Sequence, residues 1–228
     1  MPKLLIRSIA AVAITLAIFA GTVFASGGPH AHGTADGPAA ADGAVEARTR
    51  FHDAMRKLWE DHITWTRLVI VSAATLPDAL PDLDLTVKRL LRNQDDIGDA
   101  IKPFYGDAAG GELSSLLREH ITLAADLIVA AKAGDTAGVE DTSEAWYANA
   151  NEIADFLSAA NPKHWPAEEM RAMMREHLDL TLAEAVARLE GRYEDDIEIY
   201  DEVHVQILGM ADMLSDGIIA QFPAKFAK

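Results

Sequence analysis

Cysteine is absent from the 228 residues. Thiol nucleophiles, thiolate metal sites and disulfides are therefore excluded, and stability must come from packing. Basic side chains are scarce as well: 20 Lys and Arg stand against 36 Asp and Glu, a formal charge of −16. Association with phosphate backbones or anionic bilayers relies on Lys and Arg displacing counterions, so nucleic acid is not an expected partner. So much acid is first of all a well-solvated surface. No stretch alternates Val, Ile, Thr and aromatics between turn signals, as a sheet would require. Glycine-rich phosphate loops after a strand, His-Glu-x-x-His and Gly-x-Ser-x-Gly are also missing, which removes the commonest signatures of nucleotide, zinc-protease and serine-hydrolase chemistry.

One long apolar run is present. Ser8 to Phe24 carries no charge, follows Lys3 and Arg7, and ends on Val23-Phe24-Ala25. This is the pattern of an export signal, with cleavage after Ala25 as the expected processing. If retained, the same run is nearly long enough to anchor the chain in a membrane. Cleavage implies a periplasmic or extracellular protein without membrane contact. It removes two basic and no acidic residues, taking −16 to −18. Ser26 to Gly43 is rich in Gly, Ala and Pro and lacks apolar periodicity, so it is expected to be a tether. His30 and His32 lie in it, too loosely held to make a site.

Residues 44–228 are expected to form one all-α domain. Breaks at Leu76–Asp82, Pro103–Gly106, Gly134-Asp135, Asn161–Pro166 and Gly191 divide it into six helices. Leu58-Trp59-Glu60-Asp61-His62-Ile63-Thr64 aligns with Leu116-Leu117-Arg118-Glu119-His120-Ile121-Thr122 and Met173-Met174-Arg175-Glu176-His177-Leu178-Asp179, at intervals of 58 and 57 residues. On the following helices Asn93, Asn149 and Gln206 fall in register, as do Asp99, Asp155 and Asp212. The chain is therefore expected to hold three tandem αα-hairpins, about 51–106, 107–162 and 166–223, arranged as a helical bundle or a very short solenoid.

The 4, 3, 4 spacing of Leu58, His62, Trp65 and Val69, repeated around His120, places the histidines in apolar stripes facing the interior, and His177 between Met173 and Leu180 follows suit. Buried imidazoles need partners. The expected ones are the preceding acids Asp61, Glu119 and Glu176 and the amides Asn93, Asn149 and Gln206. The aspartates Asp99, Asp155 and Asp212 sit about 200° from that face and should point to solvent or a neighbouring hairpin.

Two readings follow. In one, each histidine bonds the amide of its own hairpin and the set is structural. In the other, His62, His120 and His177 converge, with the acids and with His204 of Asp201-x-x-His204, on a divalent transition metal, which suits nitrogen and oxygen donors. The amides Asn93, Asn149 and Gln206 would then hold a bound cofactor or small ligand. Metal affinity should fail below the ordinary imidazole pKa of about 6.5. Trp59, Trp65, Trp146, Trp165, Tyr105 and Tyr147 would either line a groove for sugar rings or anchor the core.

The phrases LWEDHITWTR, LLRNQDDIGDAIKPFYG, LLREHITLAADLIVAAKAGD and DGIIAQFP resemble a family of exported bacterial helical proteins of unestablished function, over about Phe51 to Phe226. The resemblance implies no catalytic residue. A glycosyltransferase activity attached to some of its members implies an α/β nucleotide-binding fold, which this chain has no strands to build. The expected function is an exported binding or envelope-accessory protein with a metal or small-ligand site. A structural or protein-interaction module comes second and an enzyme third. Mass spectrometry of the secreted chain is expected to find Ser26 at its N-terminus; a retained Met1–Ala25 would make the protein membrane-anchored instead.

Overall fold

A computed structural model describes residues 38–75 and 78–227. The expected signal and most of the expected tether lie outside them. The described residues form five α-helices and no strand: α1 (Pro38–Ala74), α2 (Leu83–Ala133), α3 (Thr136–Ala160), α4 (Ala167–Leu189) and α5 (Tyr193–Gln221), followed by a short 3-10 turn, Pro223–Phe226. Two expectations are corrected. The first helix begins at Pro38, inside the segment assigned to the tether, because proline at a helix start loses no hydrogen bond there. The six helices become five, because the break at Pro103–Gly106 shrinks to one residue. Only Gly106 leaves helical backbone space, at φ 86° and ψ 168°, a conformation that glycine alone adopts cheaply.

At Gly106 α2 folds back on itself. Arg118 on the second arm bonds the Leu91 carbonyl at 3.1 Å and Asp95 at 2.9 Å on the first. Near the turn Gly98 and Gly110 approach so closely that a Cβ on Gly98 would lie 2.4 Å from the Gly110 carbonyl oxygen. The other breaks carry ordinary end chemistry. Gly134 takes the left-handed conformation after α2, and Asp135 caps α3 by accepting from Gly138 N–H at 3.1 Å. Lys132 satisfies the carbonyls of Ala73 and Thr75 at the end of α1, where a cation also complements the helix dipole.

α1 packs on α2, α2 on α3, α3 on α4, α4 on α5, and α5 on α1. The first and last helices thus touch, and the ring of helices closes around a core that includes Ile63, Ile97, Leu117, Ile153, Leu178 and Ile207. One end is plugged by Phe51, Phe104, Phe222 and Phe226, with ring centroids 5.2–5.7 Å apart. Beside it Trp165 lies flat against Gly217, where a Cβ would fall 2.0 Å from its Nε1.

Away from that plug, Arg67 of α1 reaches Glu184 of α4 at 2.8 Å and both carboxylate oxygens of Asp196 of α5. Arg188 joins Asp196 at 3.3 Å. Both acids are essentially inaccessible. Burial pushes Glu184 up to about 7 despite Arg67. Removing one partner of such a cluster leaves uncompensated buried charge, at a cost of about 3–5 kcal/mol. Arg67→Met is expected to lower the urea unfolding free energy by that amount at pH 8 and by clearly less at pH 5, where Glu184 is protonated; equal losses at both pH values would contradict it.

Candidate functional site

Each of His62, His120 and His177 comes from a different helical pass, on α1, the second arm of α2 and α4, and each is no more than 3 % exposed. The side chains meet in the middle of the bundle. The His177 ring centroid lies 5.7 Å from that of His62 and 6.4 Å from that of His120, well inside the about 8–10 Å that separates packed helix axes.

The surrounding layer is polar, and three of its amides bond alike. Asn93 donates to the Leu58 carbonyl at 3.0 Å, Asn149 to Leu116 at 3.2 Å and Gln206 to Met173 at 3.0 Å. In every case the acceptor lies one helical turn before the histidine. The imidazoles, however, are treated differently. His120 Nδ1 pairs with the Asn149 carbonyl at 3.0 Å. The Asn93 carbonyl instead accepts from Gln94 at 3.1 Å. His62 Nδ1, His177 Nδ1 and Gln206 Oε1 are buried without a partner. Trp59 and Trp146 pack their rings against His62 and His120, with centroids 5.7 and 5.3 Å away. Their Nε1 donors are unpaired too, as is Gln94 Oε1.

Among the described residues, six of the seven buried side-chain atoms without a hydrogen bond therefore belong to this one layer, Arg89 Nη1 being the seventh. Buried polar groups in folded proteins are nearly always paired, and each orphan costs about 1–3 kcal/mol. Their concentration around three imidazoles singles the layer out.

Electrostatics keeps these histidines neutral. Desolvation holds His62 well below the ordinary imidazole value, with His177 and His120 adding to it and Gln94 opposing. Burial, and then His177, bring His120 down to about 3 against the pull of Asn149; burial takes His177 to about 4 against Gln206.

Several expected site residues are elsewhere. Asp61, Glu119 and Glu176 each precede a histidine by one residue, hence about 100° around the helix, and face outward. Asp61 pairs with Lys57 at 3.0 Å, and Glu119 and Glu176 are exposed. His204 sits on the surface of α5, 3.1 Å from Glu60. None of the four can join the triad. Among the described residues, no three His, Asp or Glu side chains are gathered as they stand around a point that would hold an ion. Asp155 and Asp212 do pair with neighbouring passes, through Arg171 at 2.6 Å and Arg56 at 2.6 Å, and Asp99 pairs locally with Lys102.

The aromatic side chains form no common groove. Trp59 and Trp146 flank the triad, Trp65 lies under Arg89, and Tyr105 contacts Trp165 at the plugged end. Gln94 is the layer residue that sequence spacing missed. It follows Asn93 directly, and only its complete burial, with its amide on the Leu90 carbonyl at 2.9 Å, reveals its role.

Comparison with protein-family models, with curated proteins and with solved structures finds no match.

The depressed imidazole values have a definite sign. Between about 6.5 and 4 the unfolded chain binds protons that the folded chain refuses, so stability is lost as pH falls through that window, by about 1.4 kcal/mol per pH unit for each imidazole. Glu184 acts oppositely: held up at about 7, it favours the fold as pH falls toward the ordinary carboxylate value. The urea midpoint is expected to drop from pH 7 to pH 4.5 with a net uptake of about two protons on unfolding. His177→Leu should make the slope shallower by one proton; an unchanged slope would count against buried neutral histidines.

Proposed function

We propose that the chain is an exported binding protein whose bundle core takes a divalent transition metal through His62, His120 and His177. The observation that carries this reading is the cluster of orphaned polar atoms around three neutral imidazoles. Neutral imidazole is the form that ligates. Imidazoles sharing one tetrahedral ion at the usual nitrogen–metal distance of about 2.1 Å have centroids roughly 5 Å apart. The separations of 5.7 and 6.4 Å exceed that, so a bound ion would have to draw the side chains together by turning them about their Cα–Cβ bonds. On this reading the three hairpins are copies of one unit around a pseudo-threefold axis, each supplying one histidine. The amides Gln94, Asn149 and Gln206, the side chains that act on His62, His120 and His177, then set ring orientation, as outer partners of metal-bound histidines do.

A second reading, a structural or protein-interaction module, is favoured by the His120–Asn149 bond, which satisfies one nitrogen within its own hairpin. The two readings part on metal. Zn, Ni or Cu is expected to raise Tm, with about 2.7 kcal/mol of stabilisation at a hundredfold excess over Kd. The shift should survive His30→Ala and His32→Ala and disappear in His177→Gln. Because burial holds all three folded imidazoles below the ordinary value, His177 at about 4, binding should persist in mild acid while the fold lasts, rather than failing near 6.5. Absence of any shift, or one that His177→Gln leaves intact, would leave the histidines as core hydrogen-bonding residues.

A further inference from the structure

We infer that the groove along the first arm of α2 is a second binding site, one that takes a soluble phosphate ester carrying a short apolar group. Its observations are separate from those of the histidine layer. The groove has a volume of about 460 Å³, within the range of small-molecule sites. Leu85, which is 71 % exposed, and Leu91 give it an apolar side. Lys88, Arg89 and Arg92 give it a cationic one, on a chain whose net charge is −16.

That positive charge is only partly neutralised from within, Asp95 being the one acid in the lining. Of the lining residues, Arg118 is committed to Asp95 at 2.9 Å, and Arg89 reaches Asp61 only at 3.8 Å. Among the described residues Lys88 and Arg92 have no carboxylate partner. Arg89 is held in place, with its guanidinium stacked over Trp65 at 4.9 Å, and its Nη1 is buried without an acceptor. A guanidinium held by stacking beside two free cations matches a doubly charged, oxygen-rich anion better than a single carboxylate. A phosphate monoester carries about −1.5 to −2 charges at neutral pH. The exposed Leu85, with the partly buried Leu91 beside it, selects an ester with an apolar arm over the free ion.

The concave shape and the strong overall negative charge weigh against a bilayer as the source of that phosphate, since an anionic membrane surface repels the rest of the molecule.

The test uses the full chain and n-hexyl phosphate, followed by calorimetry, with inorganic phosphate and phosphatidylglycerol vesicles as parallel arms. Saturable binding of n-hexyl phosphate is expected, weakened at least about tenfold in the Lys88→Gln/Arg92→Gln variant; Tm should not change, because both side chains are exposed. Leu85→Ser should weaken n-hexyl phosphate and leave inorganic phosphate, the poorer ligand, unaffected. The proposal is overturned if n-hexyl phosphate fails to bind saturably, if the double variant binds it equally well, or if inorganic phosphate binds as tightly. Vesicle binding without n-hexyl phosphate binding would overturn it as well, in favour of a lipid surface.

Discussion

The burial of three neutral imidazoles in one layer of the core is the constraint on which the rest of the architecture turns. A histidine taken out of water must lose its charge and find partners, and the layer supplies both the desolvation and an incomplete set of partners. The amides of Asn93, Asn149 and Gln206 are tied to backbone carbonyls of the preceding pass. They therefore fix how each pair of passes registers, and with it which ring faces the middle. The apolar residues above and below, Ile97, Ile153 and Met210 among them, fill the space that this registration leaves.

Ion pairs then bind α1 and α5 together. Along the seam between α1 and α5, Arg56 meets Asp212, Glu60 meets His204, and Arg67 meets Asp196. The first two are solvent-exposed and contribute little. The third is inaccessible and shared with Glu184, so it is the one that penalises any misplacement of α5 against α1 and α4.

Much of this was legible beforehand. Helix ends at Gly134-Asp135, Asn161–Pro166 and Gly191 follow from local backbone chemistry, which a sequence states openly. The inward face of the histidines follows from the spacing of Leu58, His62, Trp65 and Val69. The single-residue turn at Gly106 was hidden because Pro103 suggests a longer break than the backbone makes. The neighbouring acids misled because adjacency along a chain is not adjacency on a helix: Asp61 and His62 look in directions about 100° apart. The Arg67–Glu184–Asp196 cluster was missed although Glu184 continues the stripe of His177 and Thr181 at 4, 3 spacing. A charged residue in an apolar stripe was the available signal, but its partners come from helices distant in sequence, and only the fold brings them together.

The contact between α5 and α1 has a bearing on the order in which the protein is made. The helix that completes the ring is the last of the five to be synthesised, and until it exists Arg67 lacks Asp196 and the core lacks Ile207, Met210 and Ile218. Until α5 has been made, a nascent chain is therefore left open along one side, with its apolar stripes uncovered. Any factor that engages the polypeptide before α5 is complete meets that unclosed form.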